Sequence, residues 1–194
     1  MFDFASFLPR AVMQGIPLLY GSTGEILTEK SGNLNLGIPG VMYVGGICGV
    51  IGAFFYEQAV PAAEMSALAA IGIPMLCSLA GSLLMGLIYC LLTVTLRANQ
   101  NVTGLTLTIL GSGVGNFFGG SLNKLAGGVG QVSVAVTSQA FRNYSYSLVS
   151  FFDGFTGKLR LGTLLFSYGF LTYVAIILAV AIWYFLSKTR TGLS

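Results

Sequence analysis

Long apolar stretches, separated by shorter polar ones, make up most of this chain of 194 residues. Five apolar stretches can be distinguished, over residues 11–27, 34–56, 67–96, 102–118 and 161–186. A helix needs roughly 20 apolar residues to cross the hydrocarbon core of a bilayer, and most of these stretches approach or exceed that length. The pattern therefore predicts an all-α fold, a polytopic transmembrane helical bundle with about five spans.

A polar, glycine-rich segment lies between the first two apolar stretches. It runs from Gly24 to Gly40 and contains Glu25, Glu29 and Lys30. Lipid offers no partner to free backbone N–H and C=O groups, so irregular backbone at membrane depth occurs only where it is buried in protein or lines an aqueous path. We therefore predict a broken, irregular segment near residues 28–40, and this feature points to transport.

The composition is that of a membrane protein and excludes other classes. The chain is 55% hydrophobic and 8% charged, with a mean hydropathy of +0.83. Its net charge of +3 is small and its basic residues are scattered, so nucleic-acid binding is not predicted. The partner that this composition does predict is the lipid bilayer.

Residue types that common catalytic and metal sites require are missing. The sequence has no histidine, which excludes histidine-based acid–base catalysis and the common zinc sites. Cys48, Cys77 and Cys90 lie in apolar stretches without ligand spacing, so no metal site and no disulfide is predicted. No GxxxxGKS or GxxxxGKT phosphate loop occurs. We predict that the chain is not an enzyme and that any energy for transport comes from a separate subunit.

Small residues recur every four positions in two of the apolar stretches. These residues are Gly45, Gly49 and Ala53 in the second stretch, and Gly111, Gly115 and Gly119 in and just after the fourth. Such spacing gives a helix one smooth face on which a neighbouring helix can approach closely. We predict close helix packing at both sets of glycines.

The fourth stretch is more polar than the others. It carries Thr103, Thr106 and Asn116 among its glycines, and a position facing lipid would be costly for these side chains. We predict an interior helix and leave two interpretations open. The three residues line a path, or the helix is a packing helix whose hydroxyl groups bond its own backbone.

Two pairs of amide residues are further candidates for contact with a solute. Asn33 and Asn35 lie at the start of the second stretch, and Asn99 and Gln100 lie in the short polar connection between the third and fourth stretches. Amides donate and accept hydrogen bonds, which suits a neutral hydroxylated solute. The alternative is that these amides cap helix ends and satisfy their free N–H groups.

About forty residues, 120–160, separate the fourth and fifth stretches. We predict an extracytoplasmic loop here. Loops of this length in compact proteins usually have a function. The alternative is a lid that covers helix ends. Counting basic residues on the two sides of the membrane does not decide the orientation.

Three segments resemble, in order and spacing, the permease subunits of bacterial ABC importers. They are Gly24–Gly40, Leu96–Gly104 and Lys188–Leu193. The chain is most similar to the nucleoside and simple-sugar permeases, relatives of the ribose and branched-chain amino-acid permeases. The resemblance covers essentially the whole chain.

This resemblance implies a single transmembrane permease domain over residues 1–194, in a bacterial cell membrane, that forms the path for a nucleoside or simple sugar. The implied partners are cytoplasmic ATPase subunits, which bind the ATP, a second permease subunit and an extracytoplasmic solute-binding protein; no cofactor is implied for this chain. Thr189, Arg190 and Gly192 fall in the region that docks onto the ATPase. Family members continue through further spans, so we expect either the N-terminal part of a longer permease or a separately encoded second half.

Other functions are compatible with parts of the sequence. A passive channel or a structural membrane protein without an ATPase partner would account for the composition and the glycine spacing. It would not account for the motif at residues 188–193. An importer permease for branched-chain amino acids is a further alternative within the family that the chain resembles.

Overall fold

The computed structural model describes residues 4–61, 64–125, 134–141 and 168–189. Its long helices are α1 (Phe4–Lys30), α2 (Ile38–Ala59), α3 (Ala67–Cys90), α4 (Gln100–Leu125) and α5 (Phe170–Lys188). A wider, π-helical turn, Leu91–Thr95, continues α3, and a short helical segment covers residues 135–141. The described ranges contain no strand, so the all-α prediction is confirmed.

Three helical stretches among the described residues are long and apolar enough to cross a membrane. They are Ile38–Ala59, Ala67–Thr95 and Phe170–Lys188, with hydropathies of 1.8, 2.1 and 2.2. The helices α1 and α4 have 27 and 26 residues but are less apolar, because α1 carries charged residues near both ends and α4 carries hydroxyl and amide residues. The predicted helical membrane bundle is confirmed, with three strongly apolar spans in the described part where the sequence predicted about five in all.

Several helix boundaries differ from the sequence prediction. Helix α1 extends beyond residues 11–27 on both sides, and α2 begins at Ile38 rather than at 34. Helix α4 continues past 118 to Leu125, and the burial of Leu122 shows that this last part is packed. The first residues of the predicted loop are therefore helical, whereas 126–133 and 142–167 lie outside the described residues, as does the predicted start of the fifth stretch.

The chain divides into two compact units. One consists of Thr28–Ala140 and contains α2, α3 and α4; the other combines Met1–Leu27 with Phe141–Ser194. In the second unit, the Tyr20 hydroxyl donates to the backbone oxygen of Leu171 at 2.8 Å. A single domain over residues 1–194 stays a prediction.

Within the first unit, α2 lies between α3 and α4 and contacts both. Gly45, Gly49 and Gly52 of α2 face α3. A methyl group added at Gly49 would lie 3.3 Å from the Pro74 oxygen, and one at Gly52 would lie 2.7 Å from the Cys77 Sγ. Gly45 faces Ser82 at still shorter range. Small residues at these positions favour this close approach of two helices, as in other membrane proteins.

Candidate functional site

The break between α1 and α2, residues 31–37, is the candidate site. Helix α1 ends in a Schellman motif, in which the Gly32 N–H donates to the Glu29 oxygen at 2.9 Å and the Asn33 N–H donates to the Thr28 oxygen at 3.0 Å. Gly32 has a φ of 81°, which glycine adopts without steric penalty. The predicted irregular segment near 28–40 is thus confirmed, over narrower bounds.

Proline and asparagine set the start of α2. Pro39 lies in the first turn, and in a helix that started earlier its ring would clash with the carbonyl group four residues before it. Just ahead of the helix, the Oδ1 atom of Asn35 accepts a hydrogen bond from the Gly37 N–H at 2.9 Å. This is an Asx turn, and Asn35 is only 8% exposed. The amide therefore shapes the entry to α2 from inside the protein.

Side chains from two other helices hold the peptide groups of Leu34. The Leu34 N–H donates to the Oε1 atom of Gln100 at 3.1 Å, and the Tyr89 hydroxyl donates to the Leu34 oxygen at 2.9 Å. The Tyr89 hydroxyl also lies 3.4 Å from Asn33 Oδ1. Both oxygens are acceptors, and the hydroxyl has a single proton to donate. The shorter contact, to the Leu34 oxygen, is therefore the main hydrogen bond.

The Tyr89 side chain is fixed by the core of the unit. It is 5% exposed and belongs to a cluster of buried residues with Val44, Met85 and Leu107. In the π-helical turn that follows α3, the Thr93 hydroxyl donates to the Tyr89 backbone oxygen at 2.8 Å. Single π-helical turns inside helices often occur at functional sites.

Two adjacent amide residues between α3 and α4 have different roles. Arg97 has a φ of 53°, which reverses the chain tightly. The Asn99 Oδ1 accepts from the N–H groups of Asn101 and Val102 at 3.0 and 3.3 Å and so caps α4, as the capping interpretation predicted. The next residue, Gln100, reaches the break instead.

The polar residues of α4 do not all reach the break. The Thr108 hydroxyl donates to the backbone oxygen of Leu36 at 2.8 Å and so contacts the break directly. The Thr106 hydroxyl donates to Val102 of its own helix at 2.8 Å, the arrangement expected of a packing helix.

Two other candidates on α4 are placed differently. Thr103 is buried, with 7% of its surface exposed. Asn116 is exposed and lies sixteen residues beyond Gln100, a rise of about 24 Å along a helix. Of the predicted path residues, the structure therefore brings Asn33, Asn35 and Gln100 together and places Asn116 elsewhere.

Backbone contacts hold α4 against the break and the start of α2. A methyl group at Gly104 would lie 2.8 Å from the Leu36 nitrogen, and one at Gly111 would lie 2.6 Å from the Gly40 Cα. These distances are too short for any side chain, so the main chains of the two segments touch.

The glycine contacts continue along α4 and become looser only at Gly119. A methyl group at Gly115 would lie 2.6 Å from Tyr43 Cδ1, and one at Gly119 would lie at an ordinary 3.9 Å from Ile47 Cδ1. The close packing of α4 therefore extends from the break to Gly115.

The predicted coupling residues lie at the end of α5. Thr189 is the C-terminal capping residue of this helix, and its N–H donates to the Phe185 oxygen at 3.2 Å. Arg190 and Gly192 lie outside the described residues. The coupling role of all three stays a prediction.

Sequence reasoning missed Tyr89 as a site residue. Its hydroxyl lies in a strongly apolar stretch, and a buried tyrosine hydroxyl usually has a hydrogen-bond partner. That signal indicates that Tyr89 contacts some polar group, but it does not say which. Thr108 carries the same kind of signal, because a hydroxyl within an apolar helix bonds either its own backbone or a neighbour.

The groups that meet at the break are neutral hydrogen-bonding groups. Backbone N–H groups occupy the oxygens of Asn35 and Gln100, so the part of each amide best placed to take a further partner is its NH₂ group, a donor. In the described ranges, no group of three acidic, cysteine or histidine residues that could hold a metal ion is found. The arrangement suits an uncharged solute that accepts hydrogen bonds.

Two apolar helices long enough to cross a bilayer, α2 and α3, lie beside a polar break that α3 contacts, an arrangement typical of helical membrane transport proteins. The chain belongs to the family described as branched-chain amino acid transport system / permease component, whose sequence model matches residues 8–194.

Three relatives are similar over nearly all of this chain. It is 27% identical over 192 residues to the "Putative glucose ABC transporter permease protein" of Haloferax volcanii. The matched residues are 98% of this chain and 51% of the relative. It is 28% identical over 187 residues to the guanosine ABC transporter permease protein of Bacillus subtilis, covering 96% and 53%. It is 28% identical over 181 residues to the nucleoside ABC transporter permease protein of Lactococcus lactis subsp. cremoris, covering 91% and 50%.

The chain spans about half the length of the curated relatives it matches. No solved structure matches it. The predicted resemblance to ABC importer permeases of the nucleoside and sugar branch is confirmed.

Proposed function

We propose that this chain contributes the translocation path of an ATP-driven importer for a nucleoside or simple sugar. The observation that carries this proposal is the polar break at residues 31–37, which side chains of α3 and α4 hold by hydrogen bonds in a unit of largely apolar helices. Broken segments of this kind form solute sites in other membrane transporters.

The chemistry of the break favours a neutral, hydroxyl-rich solute. Amide NH₂ groups of Asn33, Asn35 and Gln100 donate hydrogen bonds, and the hydroxyl, ring-oxygen and carbonyl groups of nucleosides and sugars accept them. The names of the three relatives specify glucose, guanosine and nucleosides. These names and the neutral break support the same class of solute.

Importers of this kind contain several different subunits. We infer cytoplasmic ATPase subunits that bind ATP, a second permease subunit and an extracytoplasmic solute-binding protein as partners, all in or at a bacterial cell membrane that this chain crosses several times. This chain then needs no cofactor of its own. In this proposal Thr189, Arg190 and Gly192 transmit the movement of the ATPase.

A branched-chain amino acid is the second candidate solute, because the family description names it. A zwitterionic amino acid carries two charges, which the amide and hydroxyl groups at Leu34 would not neutralise. The two candidates differ in whether the solute is charged, so a direct measurement separates them.

The decisive experiment is reconstitution of the permease in proteoliposomes with its ATPase and binding protein. ATP hydrolysis and uptake are measured with the binding protein loaded in turn with guanosine, glucose or leucine. We expect stimulation by a nucleoside or sugar and none by leucine. Stimulation by leucine alone would favour the second solute, and uptake that proceeds equally well without ATP would show a passive channel.

A labelling experiment tests the proposed orientation. In a protein without native cysteines, single cysteines at Ala98 and Ser138, both exposed, lie before and after α4. Because α4 separates them, we expect an impermeant thiol reagent applied outside intact cells to label Ser138→Cys and not Ala98→Cys. Thr191→Cys is expected to behave like Ala98→Cys and to crosslink to the ATPase. Equal external labelling at Ala98 and Ser138 would contradict a crossing by α4.

A further inference from the structure

The two peptide groups that flank Leu34 depend on partners from distant parts of the chain. The acceptor for its N–H, Gln100, lies 66 residues away, and the donor to its oxygen, Tyr89, lies 55 residues away. Backbone groups in a segment without regular structure pair with side chains or with water, and here side chains supply the partners. These two side chains therefore replace hydrogen bonds that a helix would have supplied.

Both partners are also held by contacts other than those with Leu34. Tyr89 is part of the buried cluster between the helices, and its backbone oxygen accepts from Thr93. Gln100 is the first residue of α4 and follows Asn99, which caps that helix. A donor on α3 and an acceptor on α4 thus define the orientation of the chain at Leu34.

Leu34 lies between two of the amide residues. The peptide group that carries its N–H joins it to Asn33, and the one that carries its oxygen joins it to Asn35. Each peptide group is planar, so holding both fixes the direction of the backbone on either side of Leu34. Gly32 and Gly37 flank this part of the chain and give it freedom to rotate when it is not held.

We propose that Tyr89 and Gln100 are positioning residues for transport, which hold the Leu34 peptide groups and thereby direct the Asn33 and Asn35 amides toward the solute. This inference rests on the proposed transport function. It gives Tyr89 and the Gln100 oxygen a role through the backbone, distinct from any direct contact with solute.

Hydrogen exchange tests the contact itself and does not require transport. In Tyr89→Phe and Gln100→Leu proteins, we expect backbone amides of residues 31–37 to exchange about three- to tenfold faster, the effect of losing one hydrogen bond in a local opening equilibrium. Tyr20→Phe is the matched control, because it removes a tyrosine bond to the Leu171 backbone oxygen at 2.8 Å in the other unit. Gln100→Glu keeps an acceptor and is expected to restore slow exchange.

A double-mutant cycle in uptake tests the positioning role. Tyr89→Phe is expected to lower uptake about three- to tenfold, and to lower it less when Asn35 is already serine. The reason is that the part of its effect that acts through the Asn35 amide is then absent, and only its effect on Asn33 remains. A purely structural residue would lower uptake by the same factor in both proteins.

Each outcome decides a separate point. Equal exchange of residues 31–37 in the Tyr89→Phe and Tyr20→Phe proteins would overturn the proposed contact. Faster exchange with unchanged uptake, or equal losses of uptake with and without the Asn35 amide, would overturn the positioning role. A lack of ATP-driven uptake by the unmodified protein would overturn the transport function instead, and the exchange measurement would still decide whether Tyr89 and Gln100 hold Leu34.

Discussion

Gly111→Ala is expected to destabilise the protein by about 3 kcal/mol or more, at or above the usual cost of overpacking. The added methyl group would lie 2.6 Å from the Cα and 2.8 Å from the carbonyl carbon of Gly40. Both are backbone atoms, so no side-chain rotation relieves the overlap. Helices α4 and α2 have to separate, and the contact between α4 and the start of α2 is lost.

The measurement is the midpoint of thermal unfolding in detergent, where a loss of that size corresponds to a decrease of roughly 6–12 °C. Gly113→Ala is the matched control, because it makes the same change two residues away on α4, where nothing lies within 4 Å of the added group. Alanine favours helix by up to about 1 kcal/mol over glycine, so the control is expected to be as stable as the native protein or slightly more stable. Equal midpoints for the two variants would show that α4 does not pack on Gly40.

Asn35→Ser is expected to lower solute uptake about tenfold or more, while the complex with the partner subunits still assembles. A serine hydroxyl can accept a hydrogen bond from the N–H two residues ahead, although more weakly than asparagine does, so the turn to Gly37 is retained. The NH₂ group is removed. The variant therefore separates the structural role of the amide from its proposed contact with solute.

Asn101→Ser supplies the control for this prediction. Asn101 is exposed in the first turn of α4, next to Gln100, and the substitution removes the same amide group close to the break. Its uptake is expected to stay within about twofold of the native value, as is usual for an exposed position outside a site. Loss of uptake in both variants to the same extent, or in neither, would argue against Asn35 as a path residue.

Much of the fold could be predicted because its causes are local in the chain. Apolar stretches of sufficient length indicate membrane helices whatever they pack against. The break depends on Gly32, which ends α1 with a positive φ, and on Pro39, which prevents α2 from starting earlier. Both residues act within a few positions of themselves, so their effect is visible in the sequence.

The candidate site was less predictable, and adjacent residues show why. Asn99 and Gln100 have similar amide groups, yet Asn99 caps α4 whereas Gln100 reaches Leu34. Successive residues at the start of a helix point about 100° apart, so one side chain faces its own helix end while the next faces a neighbour. Spacing alone does not show which neighbour is there.

By itself, the sequence determined that this is an all-α membrane protein with a polar break before its second apolar stretch, because helix length, glycine and proline act locally. Only the tertiary structure decided that Tyr89 and Gln100 meet at Leu34 and that Gly111 touches Gly40. These contacts join residues more than fifty positions apart along the chain. They arise from the way α3 and α4 pack on the segment around α2, and hydrophobic periodicity shows that a helix has a packing face without showing which residues meet it.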